Sequence, residues 1–142
     1  MSREYKFRAW LKDRKKMVEV EEISFIGQKQ IAYTETEYRY LNKEPFYYTQ
    51  WIDFDEIELM QYTGVPDKNK TDIYEDDILQ FDVCSYKYRV YWDKEQCSYK
   101  MQNISVGFEW DILDLALFKS HALEVIGNVY ENPELLGGTK DE

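Results

Sequence analysis

The sequence predicts a mainly β protein with one short helix: a small β-barrel in the C-terminal half and a β-rich lobe before it. Three observations predict this. Apolar and polar residues alternate in short runs along most of the chain, the period of a strand with one buried face. Turn-forming residues punctuate these runs at short spacing, as in small all-β folds. Aromatics reach 17%, thirteen of them Tyr, and these side chains suit pleated, half-buried surfaces. A chain of 142 residues is long enough to bury a core without staples. The division is expected near residues 55–60, giving a lobe over 1–56, a barrel over 57–136 and a loose tail over 137–142.

Tyr5, Phe7, Ala9 and Leu11 alternate with Lys6, Arg8 and Trp10, which predicts a first strand. Lys12 to Lys16 is a charged turn, and Met17 to Val20 reads as the return strand of a hairpin. Ile23 to Ile26 and Lys29 to Thr34 predict two short strands around Gly27, and alternating Tyr38 and Tyr40 allow another. Phe46, Tyr47, Tyr48, Trp51 and Phe54 follow Pro45 as a dense aromatic cluster.

Ile57, Leu59 and Gln61 alternate with acidic Glu58. Thr63-Gly64 and Pro66-Asp67 carry turn chemistry, because Gly tolerates positive φ and Pro pre-sets a turn's second residue. Asn69 adds a further turn signal. Leu79, Phe81 and Val83 predict a strand starting near Ile78, and Tyr86, Tyr88, Val90 and Trp92 the next. Asp93 to Gln96 turns the chain, and Cys97 to Asn103 returns. Glu109 to Lys119 is the predicted helix, with Trp110, Leu113 and Leu117 on one stripe and Asp111 and Lys119 matching the macrodipole. Leu123, Val125, Gly127 and Val129 form the last strand, where Gly127 signals a bulge or a close backbone approach.

The net charge of -10 disfavours nucleic acid, whose phosphates need Lys and Arg, and equally an anionic membrane surface. The charge is uneven: residues 1–16 hold seven basic side chains, Arg3, Lys6, Arg8, Lys12, Arg14, Lys15 and Lys16. Cys84 and Cys97 are too few for a secreted disulfide framework, although a bridge between neighbouring strands stays open. MSREYKFRAW lacks the apolar run of a signal peptide, and no segment approaches the ~20 apolar residues of a membrane helix. The expectation is a protein of the cytoplasm.

Four phrases together resemble the YopX-like family of phage and prophage proteins. They are REYKFRAW (Arg3 to Trp10), LMQYTGVPD with IYEDDI (Leu59 to Asp67 and Ile73 to Ile78), YWD (Tyr91 to Asp93) and EVIGNVYENPELL (Glu124 to Leu136). The resemblance spans nearly the whole chain. It implies an SH3-type barrel in the C-terminal half and a bacterial host, and it carries over no catalytic residue, cofactor or substrate. The family usually has glycine where this chain has Lys70 and Asp76. A left-handed turn residue there costs nothing for Gly but something for Lys or Asp.

Candidate chemistry is sparse. His121, the only histidine, stands without a visible partner for a nucleophilic triad. Cys97 would need a nearby cation to become a nucleophile. The spacing of two Cys and one His does not match zinc. Two acidic groups, Asp53-Asp55-Glu56 and Asp72-Glu75-Asp76-Asp77, could attract a hard cation, but neither has the calcium-loop pattern. No glycine loop cradles phosphate.

The leading expectation is a non-enzymatic accessory protein that binds no cofactor and acts by protein contact. Its partner would be a second copy or an unidentified host or phage protein. Phe46, Tyr47, Tyr48 and Trp51 are the candidate surface, since Tyr and Trp dominate binding hot spots; the alternative is that they fill the lobe's core. A second reading is nucleic-acid binding through Arg8, Lys12, Arg14, Lys15 and Lys16. A third is a metal-dependent hydrolase using His121 or the acidic groups.

Overall fold

The computed structural model describes residues 4–38, 44–81, 85–111 and 123–137. The chain is mainly β, and among the described residues the only helical segments are two short 3-10 turns. Among these residues no helix is long and apolar enough to cross a membrane. The chain divides into two compact units, Lys6–Leu59 and the chain from Met60 onward together with the residues before Lys6. The division falls after Leu59.

In the first unit, β1 (Phe7–Leu11) and β2 (Lys16–Glu19) form an antiparallel hairpin. Its charged turn closes through Lys15, which takes φ 50° and donates its amide to the Leu11 carbonyl at 2.8 Å. A three-stranded antiparallel sheet follows in the order β3-β4-β5: β3 is Glu22–Ser24, β4 Gln30–Tyr38 and β5 Pro45–Asp53. β4 therefore runs well beyond the expected Thr34, because Thr34, Thr36 and Tyr38 continue a strand-compatible alternation. The core gathers Ala9, Leu11, Val18, Ile31, Tyr33 and Ile57, with Ile23, Ile52 and Phe54 against it. A 3-10 turn at Phe54–Glu56 leads into β6 (Ile57–Pro66), whose first residues belong to this unit.

In the second unit, the rest of β6 pairs with β7 (Asp72–Tyr74). A curled five-stranded antiparallel sheet takes the order β11-β10-β9-β8-β12. β8 (Asp77–Phe81), β9 (Lys87–Asp93), β10 (Ser98–Asn103) and β11 (Glu109–Asp111) form a meander, and β12 (Leu123–Asn128) returns to the free side of β8. This is the arrangement of an SH3-type sheet. Ile73, Leu79, Tyr88, Val90, Met101 and Leu123 make its core.

Two expectations are corrected. Glu109, Trp110 and Asp111 are not helical but pair as β11 with Gln102, Met101 and Lys100. The chain is reversed there by Asn103, whose side-chain oxygen accepts the amides of Ser105 and Val106, and by Gly107 at φ 81°. Hairpin pairing outweighs the helical stripe at these three residues. The remainder of that expected helix, 112–119, lies outside the described residues, as do His121 and Cys84 and the tail beyond Gly137. The second correction is at Thr63-Gly64, which is a bulge inside β6 and not a turn: Gly64 takes φ 91° and the register with β7 shifts between Tyr62 and Pro66. The turn itself follows at Asp67–Lys70, where the Lys70 amide donates to the Asp67 carbonyl at 3.0 Å.

Candidate functional site

β4 and β5 pair without interruption from Gln30↔Asp53 to Tyr38↔Pro45. Their first half lies on the core through Ile31, Tyr33 and Ile52. From Thr34 onward the hairpin is a two-stranded ribbon, with nearly every residue of both strands exposed. Because opposed residues share a face, the register sorts the aromatics. Tyr38, Tyr47 and Trp51 stand on one face with Thr34, Thr36 and Thr49. Phe46 and Tyr48 stand on the other, stacked with ring centroids 6.0 Å apart. Phe46, Tyr47, Tyr48 and Trp51 are 37–63% exposed and Tyr38 is 71% exposed. The aromatic cluster is thus largely on the surface rather than in the core of this unit.

One polar residue interrupts the core-side face of the ribbon. Glu35 continues the alternation of Ile31 and Tyr33 and is only 5% exposed. A carboxylate so placed must be paired. It accepts hydrogen bonds from Arg14 and, at 3.2 Å, from the Lys16 ammonium, with the Tyr33 hydroxyl at 3.4 Å. The charged turn between β1 and β2 therefore serves Glu35. Lys12 is also engaged, donating to the Asp55 carbonyl at 3.2 Å and lying 3.5 Å from the Glu58 carboxylate. Arg8 stands opposite Glu19 in the hairpin register. Of the five basic candidates Arg8, Lys12, Arg14, Lys15 and Lys16, only Lys15 faces no acidic or carbonyl group in these pairings. The basic patch read from sequence is largely neutralised from within.

The two acidic groups separate in character. Asp53, Asp55 and Glu56 converge at the 3-10 turn, each offering a carboxylate oxygen within 4.8 Å of the others, and Asp55 and Glu56 are exposed. Asp53 also accepts a hydrogen bond from the Gln30 amide at 2.7 Å. The second group does not converge. Asp77 is buried and accepts the Tyr74 amide at 2.8 Å, and Asp76 pairs with Arg89 at 3.0 Å. Glu75 accepts the Gln61 amide at 2.6 Å. Burial pushes the Glu75 carboxyl above its ordinary value; the Gln61 amide opposes this and the Asp76 charge adds to it.

The outer face of the five-stranded sheet carries a charged ladder that sequence reading missed. Lys100, nearly buried, reaches Asp93 at 3.2 Å and Glu109 at 4.0 Å. Burial pushes the Tyr91 hydroxyl up to about 12, helped by its hydrogen bond to Glu109 and by the charges of Glu109, Asp93 and Asp111. Partial burial opposes ionisation of Asp93, yet the amides of Gln96 and Glu95 and the Lys100 ammonium hold it below the usual carboxylate range. The signal was in the sequence as alternation: Tyr91, Asp93, Lys100, Glu109 and Asp111 alternate with Val90, Trp92, Tyr99, Met101 and Trp110 along their strands. Cys97, in the turn beside this ladder, carries an exposed free thiol at φ 54°.

The whole chain resembles a solved structure, the crystal structure of protein EF1440 from Enterococcus faecalis. The two are 22% identical, with a TM-score of 0.64, over 96% of this chain and all of that one. At this identity the likeness speaks for the fold. No protein of curated function matches the chain significantly. The family model of the YopX protein matches residues 6–137. That span takes in the hairpin, the aromatic ribbon and the five-stranded sheet alike, and the chain belongs to the YopX protein family.

Proposed function

We propose that this is a non-enzymatic phage or prophage accessory protein that works in the cytoplasm of a bacterial host by protein–protein contact, through the aromatic ribbon of β4 and β5. The observation that carries the reading is the exposure of Tyr38, Phe46, Tyr47, Tyr48 and Trp51 on both faces of a two-stranded ribbon. A bare hairpin is marginal in water, and clustered exposed aromatics are characteristic of binding surfaces. The basic hairpin supports nucleic-acid binding less than its sequence suggested, because Arg14 and Lys16 are committed to Glu35. The second acidic group supports a structural role, because Glu75, Asp76 and Asp77 each hold a backbone amide or a guanidinium.

The test is site-specific photo-crosslinking in bacterial cells. A benzophenone side chain at position 47 should give discrete protein adducts, and one at exposed Glu58, outside the ribbon, should not. Equal labelling from both positions, or none from position 47, would overturn the reading.

A further inference from the structure

We infer that the ribbon's partner is a second copy of this chain, joined edge to edge through β5 in antiparallel register about Thr49. The inference rests on the reading of the ribbon as a contact surface. β5 ends its sheet: among the described residues it has β4 on one side and no strand on the other. Edge strands are normally protected by charge, bulges or an interrupting proline. Between its end residues Pro45 and Asp53, β5 has none of these. From Pro45 to Ile52 it carries no charged side chain, its nine residues pair with β4 without a register shift, and its one proline is the first residue. An unprotected edge of this length calls for a cover.

Two features of the strand itself point to self-pairing. The first is charge. Two copies each bearing -10 repel over most of their surface, but β5 is a neutral strip along which they can approach. The second is side-chain complementarity under a twofold axis at Thr49. Antiparallel pairing then sets Thr49 against its own copy, Tyr48 against Gln50, Tyr47 against Trp51 and Phe46 against Ile52. Aromatic–aromatic, aromatic–β-branched and Thr–Thr pairs are the favourable cross-strand combinations, and no like charges meet. Faces are preserved as well: Phe46 and Ile52 lie on the core side of the sheet, Tyr47 and Trp51 on the other. Phe46 of one copy would thereby extend the core where Ile52 of the other is only partly covered. The result is an isologous six-stranded sheet, β3-β4-β5 continued by its own image.

Sedimentation velocity of the full chain over a wide concentration range is the first test. It should show a reversible monomer–dimer equilibrium, and Tyr47→Ser should weaken it roughly tenfold or more. Register is tested by Thr49→Cys in a Cys84→Ser, Cys97→Ser background, which should form an intermolecular disulfide on oxidation. Thr36→Cys in the same background should not, because the two β4 strands would be about 14 Å apart, three strand spacings. A monomer at every concentration overturns the inference, as does a dimer that Thr49→Cys fails to lock. If the chain stays monomeric while position 47 still crosslinks to another protein, only the self-pairing fails. If position 47 crosslinks to nothing, the contact reading fails with it.

Discussion

The Tyr130 hydroxyl donates a hydrogen bond to Asp76 at 3.1 Å, and Asp76 is the residue that turns the chain into β8 at φ 68°. The same carboxylate holds Arg89 at 3.0 Å through its other oxygen. Its backbone amide donates to the Val90 carbonyl, and its carbonyl accepts the Val129 amide. Asp76 thus ties β9 and the end of β12 to the start of β8, with side-chain contacts that a glycine there would lack. An L-residue in the left-handed region costs about 1–2 kcal/mol, and two charge-assisted hydrogen bonds offset it.

Replacing Asp76 separates the two effects. Asp76→Ala keeps the backbone cost and loses both side-chain contacts, so it should lose roughly 2–3 kcal/mol. Asp76→Gly relieves the backbone while losing the same contacts, and should be about 1 kcal/mol more stable than Asp76→Ala. Urea unfolding of the three proteins decides it. If Gly is no better than Ala, the left-handed geometry is not costing the fold.

Lys70 poses the simpler case. It takes φ 66°, is exposed, and its amide bond to the Asp67 carbonyl survives any substitution but proline. Among the described residues no side-chain contact of Lys70 compensates the turn, so Lys70→Gly should raise stability by up to ~1 kcal/mol. An unchanged or lowered urea midpoint would count against this.

These two turns show how the sequence was legible. The resemblance implies glycine at Lys70 and Asp76, hence left-handed backbone, and both residues take positive φ. Period-two alternation likewise locates the strands, because each strand buries one face. What alternation does not carry is depth. Tyr33 and Tyr48 look alike in sequence and share the core-side face of the ribbon, yet Tyr33 is core and Tyr48 surface, because the apolar residues under Tyr33 do not continue beneath Tyr48. Nothing in the local sequence marks Glu35 as buried for the same reason: its burial depends on Arg14 and Lys16 arriving from a distant turn. At Glu109–Asp111 a helical stripe and a strand pairing compete for the same residues, and the pairing partner, β10, is invisible to a local period.

Gly127 joins a bulge to a close approach. The register with β8 shifts between Val125 and Gly127, and a Cβ at Gly127 would lie 2.5 Å from the Asn132 side-chain oxygen. That oxygen accepts the Asn128 amide at 3.2 Å, so it cannot withdraw without breaking a turn contact. Gly127→Ala should cost about 1–3 kcal/mol. Adding Asn132→Ala should recover part of that loss, measured by a double-mutant cycle, whereas simple additivity would show that the two sites do not press on each other.

Glu75 gives a pH signature. Its carboxyl titrates above the ordinary 4.5 in the folded chain because burial disfavours the charge more than the Gln61 amide favours it. The folded state therefore holds this proton more tightly than the unfolded state does. Its contribution to stability is present below 4.5 and is lost as pH rises through the folded value. Glu75→Gln keeps an acceptor for Gln61 and removes the titration. The difference in unfolding free energy between the variant and the parent should grow in the variant's favour across that window, then level off. A constant difference across the window would mean that Glu75 does not titrate as its surroundings require.

Glu35 tests whether the charged turn of the β1–β2 hairpin is a structural clamp. Its carboxylate is buried, but Arg14 and Lys16 are about half exposed and can return to water when it is removed. The cost of losing Glu35 should therefore fall below the ~3–5 kcal/mol of breaking a fully buried pair. Glu35→Gln retains shape and one acceptor and should lose roughly 1–2 kcal/mol. Glu35→Leu removes the need for a counter-charge and extends the Ile31–Tyr33 face, so it should be no worse than Gln and less salt-sensitive. With Leu in place Arg14 and Lys16 also become available cations. Under the contact reading, this variant should crosslink from position 47 as the parent does. Affinity for nucleic acid that appears at low salt only in Glu35→Leu would show that Glu35 normally neutralises the basic patch. Affinity already present in the parent would show that the clamp does not hold those charges.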